Sequence, residues 1–164
     1  MKPRLFFLPL IAVFSLSSCA QTASTWQPYT FNGSAFQQGE INGKASLWLR
    51  DGFIPRTEKP LAGAFDIGSL PPKSGAVAGI CYLQTSGGKL ADQSGYTPYA
   101  DEQIIIRSAR DGIFVTRTDS NGIFTETLYP GEYEFSCRGA GNPAVVKEGK
   151  TTLIRIRGGK RMAD

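Results

Sequence analysis

The stretch TRTDSNGIFTETLYPGEYEFSC, residues 116–137, decides the fold class of this chain. It contains two turn dipeptides, Asn121-Gly122 and Pro130-Gly131, and the residues that follow each turn alternate between apolar and polar. Alternation with a period of two indicates strands, because successive side chains of a strand point to opposite faces. The stretch therefore predicts antiparallel strands at 123–128 and 133–137.

Similar patterns occur on both sides of this stretch. Further strands are predicted at 76–83, 103–109, 113–118 and 151–157. Asp111-Gly112 is the signal for a tight turn between two of them. The sequence shows no sustained helical period, and its 19 Gly and 10 Pro argue against long helices. We therefore expect an all-β protein, a single antiparallel β-sandwich of about seven strands.

A family resemblance rests on ten positions of this region. They are Gly79, Thr118, Asp119, Asn121, Gly122, Phe124, Leu128, Pro130, Gly131 and Tyr133. With them, residues 75–158 resemble the carboxypeptidase regulatory-like domain, which is related to collagen-adhesin B-type and transthyretin-like sandwiches. The resemblance implies a sandwich whose core contains Phe124 and Tyr133. A long insert at 86–102 departs from the family pattern.

The chain opens with a basic and then apolar leader. Lys2 and Arg4 precede 12 largely apolar residues, from Leu5 to Leu16. That run is too short for a spanning helix, which needs about 20 residues, so it indicates a secretory signal peptide over residues 1–18. Leu16-Ser17-Ser18-Cys19 resembles the bacterial lipobox. The resemblance implies cleavage before Cys19 and attachment of fatty acyl chains, such as palmitate, to that residue.

The expected location follows from this leader. Ala20, rather than Asp, follows Cys19, and resemblance to enterobacterial lipoproteins then implies sorting to the outer membrane. We expect a protein of the bacterial cell envelope held in the membrane by lipid. Residues 19–74 are predicted to be the lipidated N-terminus and a loosely structured tether, with one possible strand at 45–49. Residues 159–164 are predicted to be a basic tail.

Two further cysteines, Cys81 and Cys137, remain after lipidation. Thiols of the envelope tend to be oxidised. Alternation places Cys137 on the face of Tyr133 and Phe135, and Cys81 on the face of Val77, so both point into a core. We expect a disulfide between them. Two buried free thiols are the main alternative, and a metal site is the weaker one.

Several kinds of chemistry are disfavoured. The chain has no histidine, the commonest general base and a leading zinc ligand. Gly149-Lys150-Thr151 resembles the end of a phosphate loop, but Ala144 stands where that motif requires glycine. Asp101-Glu102 is an adjacent acidic pair, and neighbours on a strand point to opposite faces. We expect no catalysis, cofactor, metal, small-molecule substrate or nucleic acid.

The expected function is that of a non-enzymatic, lipid-anchored envelope protein, structural or protein-binding, which uses edge strands to bind another envelope protein. An alternative is a glycan- or peptidoglycan-binding module, motivated by Trp26, Trp48, Tyr96 and Tyr99. Exposed, coplanar rings would favour this alternative. An enzyme that uses carboxylates is a third possibility, and it requires a pocket where acidic groups converge.

Overall fold

The computed structural model describes residues 25–44, 46–61, 68–85 and 95–160. The predicted signal peptide 1–18, the lipidation site Cys19 and tail residues 161–164 lie outside the described residues, as does 86–94 of the insert. Within the described ranges, no helix has the length and apolar character needed to cross a membrane.

The described residues form eleven strands and no helix. The strands are β1 (Gln27–Phe31), β2 (Phe36–Gln38), β3 (Leu47–Leu49), β4 (Gly75–Gln84), β5 (Tyr96–Pro98), β6 (Gln103–Ser108), β7 (Gly112–Arg117), β8 (Ile123–Leu128), β9 (Gly131–Cys137), β10 (Ala140–Val146) and β11 (Thr151–Lys160). The prediction of an all-β protein is confirmed.

These strands form three sheets. The outer sheet has the order β2-β1-β3, and the hairpin sheet has the order β10-β9-β6-β7. The central sheet has the order β11-β4-β5, with β8 also paired to β4. β11 runs parallel to β4, whereas the other strand pairs are antiparallel. The prediction of a single antiparallel sandwich of about seven strands is therefore wrong, since a third sheet covers the central one.

Strand β4 lies at the centre of the fold, and both of its faces are buried because a sheet covers each side. Val77 and Cys81 face the hairpin sheet, whereas Ala78, Ile80 and Tyr82 face the outer sheet. A strand covered on both faces is apolar along its length instead of alternating. Gly79 also has a packing role, because a Cβ there would lie 2.5 Å from Cζ of Phe124.

Two cores result, one on each side of the central sheet. The inner core, between the central and hairpin sheets, contains Val77, Cys81, Ile104, Ile106, Phe124, Leu128, Tyr133, Phe135, Cys137, Val146, Ile154 and Ile156. The outer core, between the central and outer sheets, contains Phe31, Leu47, Ala78, Ile80, Tyr82 and Ile123. The ring centroid of Phe31 lies 4.9 Å from those of Tyr82 and Tyr96.

A disulfide joins Cys81 of β4 to Cys137 of β9, with the two Cα atoms 6.5 Å apart. Both cysteines are buried in the inner core. The bond links the central sheet to the hairpin sheet, and the predicted disulfide is confirmed.

The segment predicted as a loose tether is ordered wherever the structure describes it beyond residue 25. Phe31 is 3% exposed and Leu47 is fully buried, so the outer sheet packs firmly on β4. The turn between β1 and β2 is fixed by Asn32, whose side-chain oxygen accepts hydrogen bonds from the backbone N–H groups of Ser34 and Ala35. Within the possible strand predicted at 45–49, the structure has the strand β3 over Leu47–Leu49, and residue 45 lies outside the described residues.

Candidate functional site

The central and hairpin sheets pack face to face around the inner core, and this pair of sheets has two lateral sides. On one side, hydrogen bonds between β10 and β11 join the two sheets, and we call this side the closed seam. The side chain of Asn142 donates a hydrogen bond to the carbonyl of Arg155 at 2.8 Å, and the hydroxyl of Thr152 donates to the carbonyl of Val145 at 2.8 Å. Pro143, within β10, has no N–H to offer an incoming strand. This closed seam is a poor place for strand addition.

On the opposite side, between β7 and β8, no strand pairing joins the two sheets within the residues that the structure describes, and we call this side the open seam. Among the described residues β7 pairs with β6 alone, and β8 pairs with β4 alone. The N–H of Thr118 donates to the carbonyl of Glu102 at 3.0 Å, which marks a hydrogen-bonded pair of the ladder. Alternation along an antiparallel ladder then directs the N–H and C=O groups of Ile113, Val115 and Arg117 away from β6, towards the free edge.

Strand β7 carries apolar side chains on both faces. Ile113 is 68% exposed, Val115 is 56% exposed and Phe114 is 39% exposed. Soluble proteins commonly protect an edge strand with a charge, a proline or a bulge, because an unprotected edge pairs with other chains. None of these devices occurs at 113–115, so this part of β7 has the features of a strand that accepts a partner.

A cleft of about 260 Å³ lies between β7 and β8. Its apolar wall includes Pro71, Pro72, Phe114, Leu128 and Tyr129. An apolar side chain of an incoming strand would be desolvated there. The open seam is therefore an edge with a cleft behind it.

A partly buried hydrogen-bond pair fixes the end of this cleft. The hydroxyl of Tyr133 lies 2.8 Å from Oδ2 of Asp111 and 3.0 Å from the carbonyl oxygen of Tyr129. Burial, together with the hydrogen bond to Asp111 and the negative charge of that carboxylate, raises the pKa of Tyr133 to about 12. Because Asp111 belongs to the turn that leads into β7, the bond holds the start of that strand against β9.

A larger groove, about 550 Å³, lies beside the outer sheet, with Trp48 and Lys59 in its wall. The Lys59 ammonium already lies 3.2 Å from a carboxylate oxygen of Glu40 and 5.2 Å from the centre of the Trp48 ring. The charge of Lys59 is therefore already engaged within the protein, and the groove offers a weaker argument for a binding site than the open seam.

The acidic residues considered from the sequence do not converge. Asp101 pairs with Arg117 at 3.2 Å, whereas Glu102 pairs with Arg138 at 2.8 Å. The carboxylate of Asp119 accepts two backbone hydrogen bonds within its own turn, at 2.8 Å each. In the part of the chain that the structure describes, no group of three or more His, Cys, Asp or Glu side chains is placed to hold a metal.

The four aromatic residues that motivated the glycan alternative do not share a surface. Trp48 is buried, and the other three are half-buried with separate neighbours. Trp26 packs on Phe53, Tyr96 packs on rings of the outer core, and Tyr99 lies under the guanidinium of Arg138. The glycan hypothesis therefore loses the observation that motivated it.

No protein-family model matches the chain, and no curated protein matches it significantly. The candidate site therefore rests on geometry. Sequence reasoning missed β7 as the open edge, because the run IFVTR predicts a strand but does not reveal which neighbours the strand will have. The adjacent Asp111-Gly112 turn showed the pairing with β6 only.

Proposed function

We propose that this protein is a non-enzymatic, lipid-anchored envelope protein that binds an extended segment of another envelope protein along β7. The observation that carries the proposal is the open seam, where Ile113, Phe114 and Val115 are exposed on an edge strand. The sequence between 75 and 158, which resembles carboxypeptidase regulatory-like domains, is consistent with a binding module.

Strand addition accounts for how the partner is recognised. The outward N–H and C=O groups of Ile113, Val115 and Arg117 supply main-chain hydrogen bonds, which give affinity with little regard to sequence. Specificity comes from alternate side chains, since every second residue of the partner points into the cleft against Phe114 and Leu128. The expected partner therefore presents an extended segment with apolar residues at alternate positions.

The lipid anchor supports the same function by keeping the protein beside its membrane partners. Confinement of both proteins to one surface raises their effective concentration, so a modest strand contact suffices. The lipobox resemblance at residues 16–19 supports the anchor, and Ala20 supports the outer membrane as its location. Metabolic labelling with a radioactive fatty acid tests the anchor, and the variant Cys19→Ser should lose the label.

The open seam is tested by photo-crosslinking in intact cells. A photoreactive amino acid at Ile113 should yield an adduct with an envelope protein, whereas the same group at Val145 should not. Val145 is the matched control, because it is 51% exposed but lies on β10 beside the closed seam.

The variant Val115→Pro tests the backbone contact itself. It removes an outward N–H without removing a ladder bond to β6, so β7 should keep its place while the Ile113 adduct disappears. Thermal unfolding of the variant checks that the fold is intact. Persistence of the adduct in a folded Val115→Pro variant would show that strand addition is wrong. An adduct between two copies of this chain would show that β7 mediates self-association, and the proposal of a different envelope protein as the partner would then be wrong.

A further inference from the structure

One end of the outer sheet brings together residues from three parts of the chain. Gln27 pairs with Leu49, so the start of β1 lies beside the end of β3. A β-bridge between Trp48 and Arg56 brings the segment 53–56 to the same end. One of the segments that meet there, the start of β1, is the described part of the chain that lies closest in sequence to the proposed lipid anchor.

Two aromatic rings and two guanidinium groups form a cluster at this end, which we call the aromatic–arginine cluster: Trp26, Phe53, Arg50 and Arg56. The ring centroids of Trp26 and Phe53 are 5.8 Å apart. The guanidinium carbon of Arg50 lies 4.1 Å from the Phe53 ring centre, and that of Arg56 lies 5.4 Å from the Trp26 ring centre. Each arginine is therefore held over an aromatic face.

The cluster is only partly covered by protein. All four side chains belong to half-buried residues, and Ile54 beside them is 37% exposed. The indole of Trp26 and arginines with an apolar stem are suited to a boundary between water and hydrocarbon, because one part of each group favours each phase, and the phenyl ring of Phe53 adds apolar surface for the hydrocarbon side. The composition of the cluster matches that of a membrane interface.

The length of the connecting chain places this cluster near the lipid. Trp26 is seven residues after Cys19, and seven fully extended residues span at most ~25 Å. If Cys19 carries acyl chains, as the proposed function holds, Trp26 cannot lie farther than that from the point of attachment, and the rest of the cluster packs beside Trp26. The guanidinium groups complement lipid phosphates in charge and in hydrogen-bond geometry.

We propose that the aromatic–arginine cluster lies in the phospholipid headgroup layer and fixes the orientation of the domain on the membrane. This inference rests on the proposed lipid anchor and adds a second, non-covalent contact to it. The N–H of Leu70 donates to the carbonyl of Gly52 at 2.8 Å, so the Pro71–Pro72 wall of the cleft lies close to the same end. The open seam therefore begins on the membrane side of the domain.

Tryptophan fluorescence tests the proposal, because the chain has two tryptophans, Trp26 and the buried Trp48. The full acylated protein is reconstituted into vesicles of phosphatidylcholine and phosphatidylglycerol whose acyl chains are brominated near the carbonyl. Bromine quenches nearby tryptophan. Emission of the wild type and of Trp48→Phe should fall relative to unbrominated vesicles, whereas emission of Trp26→Phe should not.

A double variant tests the arginines. Arg50→Gln with Arg56→Gln should lose the quenching of Trp26, and the matched pair Arg155→Gln with Arg157→Gln, two exposed arginines of β11, should retain it. Circular dichroism checks that each variant is folded. Equal losses in the two pairs would mean a general charge effect and would overturn the proposal.

The outcomes separate this inference from the proposed anchor. Failure of the protein to float with vesicles would refute the anchor. Flotation with Trp26 no more quenched than Trp48 would leave the anchor intact and overturn the membrane contact of the cluster.

Discussion

The two faces of β4 bury two cores that are built differently. The inner core is formed by strands of six to ten residues and is crossed by the Cys81–Cys137 disulfide. The outer core depends on aromatic rings, with Phe31 in contact with Tyr82 and Tyr96, and two of the outer sheet's three strands have three residues each. One strand therefore joins a layer that is cross-linked by a disulfide to a layer whose core is built mainly from aromatic packing.

The largest expected effect is on the inner core. Replacing both cysteines, Cys81→Ala with Cys137→Ala, should lower the free energy of unfolding by about 4 kcal/mol, because the disulfide closes a long loop in the unfolded chain. The two residues are 56 apart in sequence. Urea denaturation of the variant measures the loss, and reduction of the wild type should reproduce it.

The same experiment shows whether the two cores unfold together. Trp48 reports on the outer sheet by fluorescence, and circular dichroism reports on all the strands. Since β4 belongs to both cores, the two signals should share one midpoint in the cysteine variant. Separate midpoints would mean that the two faces of β4 form independent units, and the picture of a shared strand would be wrong.

The next effect in size is on the outer core. Phe31→Ala should lower the free energy of unfolding by about 3 kcal/mol, since a large buried ring is lost and leaves a cavity. Urea denaturation again provides the measurement, with Phe36→Ala as the matched control, because Phe36 packs on the same ring but is half-buried. A loss below about 1 kcal/mol would contradict tight packing of the outer sheet.

The sequence predicted the strands whose pattern is bounded by turn residues, such as those of 103–117 and 123–137. The pairing of β6 with β7 is local. By contrast, β8 pairs with β4, and β9 pairs with β6 and β10, so the partners of these two strands could not be read from the turn between them. The disulfide was predicted because the cysteine count, the expected oxidising compartment and the alternation of the two strands all agreed on it. Of the outer sheet, the sequence predicted only the possible strand at 45–49. Strands β1 and β2 were missed because they are short and lie in a polar segment, where Phe31 gave no sustained pattern.

Features that depend on the order of the strands in a sheet could not be predicted from the sequence. The parallel pairing of β11 with β4 joins residues more than 70 apart in the chain, and nothing local encodes it. In the same way, β7 is an open edge because, among the described residues, a strand pairs with only one of its two sides, and no local pattern reveals this. β10 was missed for a different reason, since Gly141 and Pro143 interrupt its pattern.

The smallest predicted effect is on the pH dependence of the unfolding free energy, and it involves one tyrosine of each core. Burial and Asp111 raise the pKa of Tyr133 in the inner core to about 12, from an ordinary value of about 10. A pKa raised by folding contributes stability below pH ~10, and the contribution is lost as pH rises to ~12. The wild type should therefore lose roughly 2 kcal/mol of unfolding free energy across this interval, measured by urea titrations at each pH.

The variants Tyr133→Phe and Tyr96→Phe separate the two layers. Tyr133→Phe should lower the free energy of unfolding by about 1 kcal/mol at neutral pH, because the hydrogen bond to Asp111 is lost. The variant should also lose most of the decrease in unfolding free energy that the wild type shows as the pH rises to ~12. Burial also raises the pKa of Tyr96, in the outer core, so Tyr96→Phe should flatten the slope less. The opposite result would contradict this prediction. If Tyr133→Phe leaves the fall of unfolding free energy between pH ~10 and pH ~12 unchanged while Tyr96→Phe abolishes it, the pH dependence comes from the outer core and not from the Tyr133–Asp111 hydrogen bond.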